Sequence, residues 1–160
     1  MRRPPPPDVR LRTGPHPPEW LFVNNPVKIP FPMHESILVV DDEPFVLNAI
    51  CGILRHAGYT VLTAAAPREA LRIAQTHPGT IHLLLSDVVM PEMSGPSLSQ
   101  LFAAIHPETL LLFVAGMPYH PEILERVLPR GQAFLAKPFR AEALVRKVRE
   151  LLAPAGALVA

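Results

Sequence analysis

Cysteine is almost missing from this 160-residue chain: Cys51 stands alone. No internal disulfide can form, which fits a reducing compartment. A long apolar run is missing too, since nothing approaches the ~18 residues needed to span a bilayer. Arg2-Arg3 opens the chain, but Pro4 to Pro7 follow where an export signal needs an apolar helix. An excess of one charge is lacking as well. The net charge is +1, and beyond residue 32 ten bases face twelve acids. That balance excludes a basic nucleic-acid surface on the main body. The expectation is a cytoplasmic protein with no membrane and no nucleic-acid partner.

Apolar residues are abundant at 49%, with 18% charged, so one domain of ordinary size can bury a core. Proline is abundant but uneven: ten of the 21 fall within residues 1–32. That stretch has no helical or alternating period and reads as a disordered extension over 1–34. Trp20-Leu21-Phe22-Val23 forms a single sticky patch within it. An upstream start codon is the rival explanation, with synthesis beginning at Met33.

From Ser36 the pattern changes. Ile37–Val40, Tyr59–Ala64, Ile81–Ser86, Leu110–Ala115 and Ala133–Ala136 are short apolar runs without alternation, as strands buried on both faces require. Between them lie helical patterns. Phe45, Val46, Ile50, Ile53 and Leu54 stripe the first, and Ala70, Leu71 and Ala74 the second. Leu98, Leu101, Phe102 and Ile105 stripe the third, a short helix is predicted over Glu122–Leu128, and Arg140–Leu152 closes the domain. The fold class is α/β: a doubly wound, five-stranded parallel sheet with helices on both faces, over 35–153, with a short tail at 154–160.

Such sheets bind ligands beyond the carboxyl ends of their strands. Asp41-Asp42 follows the first strand, Asp87 the third and Lys137-Pro138 the fifth. If the first and third strands are neighbours, three carboxylates converge, and a cation must offset their repulsion. Oxygen ligands with room for water and phosphate suit Mg²⁺, and Lys137 would meet a phosphoryl oxygen. Each feature alone reads as a cap, a turn or a surface lysine. Their shared edge is what argues for a site. Seven scattered histidines read as surface residues, Cys51 as core, and Met90 and Met93 as loop packing.

Ile37-Leu38-Val39-Val40-Asp41-Asp42-Glu43-Pro44, Leu84-Leu85-Ser86-Asp87 through Met90-Pro91-Glu92-Met93-Ser94-Gly95, and Phe134-Leu135-Ala136-Lys137-Pro138-Phe139 resemble the receiver domain of two-component response regulators. The segment Ala115–Phe139 most resembles receivers attached to hybrid sensor kinases. The resemblance implies Asp87 as phosphoacceptor from a phosphohistidine donor on a histidine kinase or histidine phosphotransfer protein. It implies Mg²⁺ held by Asp42, Asp87 and the Val89 carbonyl, with Asp41 acting through water. Lys137 would contact the phosphoryl group, with a cis bond before Pro138.

One position departs from the family. Where receivers carry Ser or Thr, this chain has Ala115, and Phe134 occupies the place of the aromatic residue that moves with that hydroxyl. The expectation is a single-domain receiver, not an enzyme, with output through contacts to a downstream protein that the sequence does not name. The alternative is an interaction module uncoupled from phosphorylation by Ala115. A phosphatase with an aspartyl nucleophile is the third reading, and Val88-Val89 leaves it without the general acid it needs after Asp87.

Overall fold

The computed structural model describes residues 35–116 and 132–154. The Trp20–Val23 patch, the predicted helix over Glu122–Leu128 and the tail from 155 lie outside the described residues.

Strands β1 (Ser36–Val40), β2 (Thr60–Ala64), β3 (Leu83–Asp87), β4 (Leu110–Ala115) and β5 (Ala133–Ala136) form one parallel sheet in the order β2-β1-β3-β4-β5. Helices α1 (Pro44–His56), α2 (Pro67–Thr76), α3 (Gly95–Ile105) and α4 (Ala141–Leu152) connect or close them. Pro44 and Pro67 start α1 and α2, where the missing N–H costs nothing. Ser94 caps α3 by accepting a hydrogen bond from the Ser97 N–H at 3.2 Å.

Two cores sandwich the sheet. Ile37, Val39, Leu83, Leu85, Leu112 and Val114 face α1 and α4, whereas Leu38, Val40 and Leu84 face α2 and α3. Alternate residues of each strand feed opposite layers. Both layers are apolar, which is why the strands read as unbroken apolar runs. Among the described residues no helix is long and apolar enough to cross a membrane.

The helical stripes need correction. Phe45 is 84% exposed, and the buried face of α1 is Leu47, Ile50, Cys51 and Leu54. Spacing of i, i+3, i+4 and i+7 defines that face, and Phe45 in the first turn lies off it. On α3, Leu101 (48%) and Ile105 (36%) are exposed, while Gly95, Leu98, Ser99 and Phe102 face inward. Ser99 is tolerated there because its hydroxyl donates to the Pro96 carbonyl at 2.7 Å.

Two histidines are structural rather than merely superficial. His82 Nδ1 accepts the Ser36 N–H at 2.9 Å, and His106 Nε2 donates to the Ala74 carbonyl at 2.7 Å. The former helps explain why β3 begins at Leu83 rather than Ile81, since a side chain replaces a ladder partner. Cys51 is core, and Met90 packs in the layer under α2 and α3, both as expected.

Candidate functional site

The order of the strands reverses between β1 and β3, so a crevice opens beyond their carboxyl ends. Register places Val40 beside Ser86, which carries Asp41-Asp42 and Asp87 into that crevice together. One carboxylate oxygen from each of the three lies within 4.8 Å of the others. Lys137 follows β5 and reaches in from the far side. Its Nζ stands 3.1 Å from Asp41 Oδ2 and 3.5 Å from Asp87 Oδ2. The Lys137-Pro138 bond is cis. The Lys137 N–H donates to the Ala115 carbonyl at 2.7 Å, which ties the end of β4 to the base of this lysine.

The carboxylates are not equivalent. Asp41 is 1% exposed, and both its oxygens are engaged: Oδ1 accepts the Glu43 N–H at 2.9 Å, and Oδ2 meets Lys137. Asp87 meets Lys137 more loosely, at 3.5 Å, and accepts from the Val88 and Val89 N–H groups, and Asp42 completes the carboxylate cluster. Burial raises the Asp87 pKa above the usual 3.8, with Lys137 opposing and Asp41 adding to the rise. A donor set of carboxylates, without nitrogen or sulfur, fits Mg²⁺.

That shift fixes the sign of a pH effect. The folded state binds the Asp87 proton more tightly than the unfolded chain, so metal-free stability is greatest at low pH with respect to this group. It declines as pH rises through the raised value. Asp87→Asn should therefore have a higher Tm than the wild type in EDTA at neutral pH, with the gap closing toward pH 4. A wild type as stable as the variant at neutral pH would contradict this.

The loop after β3 shows what sequence reading missed. The Gly95 N–H donates to the Val88 carbonyl at 2.9 Å. A Cβ at Gly95 would overlap the Asp87 carbonyl oxygen and sit 3.2 Å from Ser86 Oγ. Glu92 holds a φ of 70°, the left-handed region that costs a non-glycine residue about 1–2 kcal/mol. Its carboxylate pairs with Arg68 at 3.3 Å. The only trace in the sequence was a proline and a glycine bracketing the loop.

Ala115 is 2% exposed and clusters with Val88 and Phe113, with Phe134 packed against them. Val89, whose carbonyl was expected at the metal, has its side chain 52% exposed at the rim.

Comparison with known proteins agrees with this geometry. The family model for the response regulator receiver domain matches residues 37–149. The sensor kinase CckA of Brucella abortus is 39% identical over 119 residues, 73% of this chain but only 12% of that protein. The response regulator receiver protein CpdR of the same organism is 30% identical over 118 residues, covering 74% of this chain and 97% of CpdR. Among solved structures, the receiver domain of the hybrid histidine kinase CckA aligns with a TM-score of 0.62 at 35% identity, over 73% of this chain and 98% of that one. The chemotaxis response regulator CheY4 of Vibrio cholerae gives 0.65 at 30% identity, over 74% and 99%. Receiver domains bind Mg²⁺ through acidic residues and interact with histidine kinases or phosphotransfer proteins. With the sheet order, the acidic crevice and the cis-proline lysine in place, the chain belongs to the response regulator receiver family of two-component systems.

Proposed function

We propose that the chain accepts a phosphoryl group on Asp87 from a phosphohistidine of a histidine kinase or histidine phosphotransfer protein, and signals through contacts with another protein. The observation that carries this reading is the convergence of Asp41, Asp42, Asp87 and Lys137 within one crevice. Phosphoryl transfer asks for positioning and charge neutralisation, and this set supplies both.

Asp42, Asp87 and the Val89 carbonyl would hold Mg²⁺ directly, and Asp41 would hold it through water. The ion supplies charge neutralisation at the phosphoryl oxygens. Asp87 attacks phosphorus in line; its O–P bond forms as the N–P bond to the donor imidazole breaks, and the imidazole recovers a proton from solvent. Lys137 turns from Asp87 to the incoming phosphoryl oxygen, as a point charge on a flexible stem can. The Glu43 N–H holds the Asp41 side chain in place opposite it.

Incubating the protein with Mg²⁺ and acetyl phosphate tests the reading by mass spectrometry. The expected result is a gain of one phosphoryl group, absent in Asp87→Asn and in EDTA. Labelling elsewhere, or none in the wild type, would overturn it. The second reading, a module uncoupled from phosphorylation, draws on the apolar surroundings of Ala115. It requires that the wild type and Asp87→Asn bind partners alike.

A further inference from the structure

We infer that Ser86 is a positioning residue for phosphoryl transfer: its hydroxyl locks the peptide that joins Asp87 to Val88 and so aims the phosphoacceptor carboxylate. This deepens the phosphoacceptor reading above and rests on it.

The place of Ser86 in the sheet calls for an apolar side chain. Burial runs unbroken from Leu83 to Ser86 along β3, and the other three residues are leucines. A buried hydroxyl costs stability unless it finds a partner. Ser86 Oγ finds one beside it in the chain, donating to the Asp87 carbonyl at 2.9 Å. Pairing of β3 with β1 ends where Val40 meets Ser86, so this carbonyl lies just past the last rung of that ladder. Alanine would fill the same place in the sheet. What serine adds is the grip on that carbonyl.

The grip reaches the carboxylate through one rigid unit. The Asp87 C=O and the Val88 N–H belong to a single planar trans peptide and point opposite ways. With the oxygen held by Ser86, the N–H is directed at the Val114 carbonyl, 3.0 Å away in β4, and at the Asp87 carboxylate. The Val89 N–H donates to the same carboxylate. Gly95 closes the other side of the loop. Its N–H donates to the Val88 carbonyl at 2.9 Å, and its missing Cβ leaves room for the Asp87 oxygen and Ser86 Oγ. Ser86 thus secures the start of the loop as Gly95 secures its end. In-line attack needs the carboxylate in one orientation, and small errors of placement cost rate steeply.

Amide hydrogen exchange of the full chain in EDTA, read by NMR, tests the grip without metal or phosphodonor. Ser86→Ala should speed exchange at Val88 and Val89 about tenfold, the upper range for losing one neutral hydrogen bond, while Leu38 and Val39 in β1 exchange as in the wild type. The same variant should bind Mg²⁺ more weakly and take up phosphoryl groups from acetyl phosphate about tenfold more slowly. Ser86→Thr keeps the hydroxyl and should restore all three toward the wild-type values. Faster exchange at Leu38 and Val39 too would mark a general loss of stability and overturn the positioning role. Unchanged exchange at Val88 and Val89, or unchanged phosphoryl uptake, in Ser86→Ala overturns it while the wild-type mass gain still stands. A wild type that takes up no phosphoryl group overturns both readings.

Discussion

Threonine in place of Ala115 should enlarge the conformational response to phosphorylation roughly 10- to 100-fold. A hydroxyl at the end of β4 would meet a charged phosphoryl oxygen, a hydrogen bond worth ~1.5–3 kcal/mol. Each 1.4 kcal/mol is about tenfold in population. Only the modified state gains the bond, so the gain is differential and shifts the equilibrium. Phe134 already packs beside position 115 and would follow it. NMR of both proteins with Mg²⁺ and beryllofluoride provides the measurement. The wild type should show shifts confined to residues near Asp41, Asp87 and Lys137. Ala115→Thr should add shifts at Phe113 and Phe134. Equal, full-sized shifts at Phe134 in both would mean that another donor replaces the hydroxyl.

Alanine at Gly95 should cost roughly 1–3 kcal/mol of stability, the range for forcing an atom into packed structure. It should also weaken Mg²⁺ binding by more than tenfold. The new Cβ overlaps the Asp87 carbonyl oxygen, which is backbone and cannot swing aside. Relief requires moving the chain between Asp87 and Gly95, and with it the Val89 carbonyl and the Asp87 carboxylate. Chemical denaturation and Mg²⁺ titration of Gly95→Ala measure the two effects. Unchanged Mg²⁺ affinity would show that the loop relaxes without disturbing its metal-facing atoms. Glu92→Gly, by contrast, relieves a positive φ and should leave Mg²⁺ affinity intact.

Five apolar runs separated by helical periods were enough to imply a parallel sheet buried on both faces, because only that architecture leaves strands without a polar side. Asp41-Asp42, Asp87 and Lys137 were legible as a site for a related reason: the crossover rule puts all strand ends on one edge. Three things were decided only in three dimensions. The phase of α1 depended on where the sheet lies, and one step of helical rotation turned Phe45 outward and Leu47 inward. The division of labour among the aspartates depended on the Glu43 N–H and Lys137 occupying both oxygens of the buried Asp41, whereas Asp87 stands farther from Lys137, at 3.5 Å. Periodicity reports which residues are apolar but not which donors reach them. Gly95 followed from a contact with Asp87 across a seven-residue loop, and the distance between two backbone atoms is a property of the folded chain, written in no single residue.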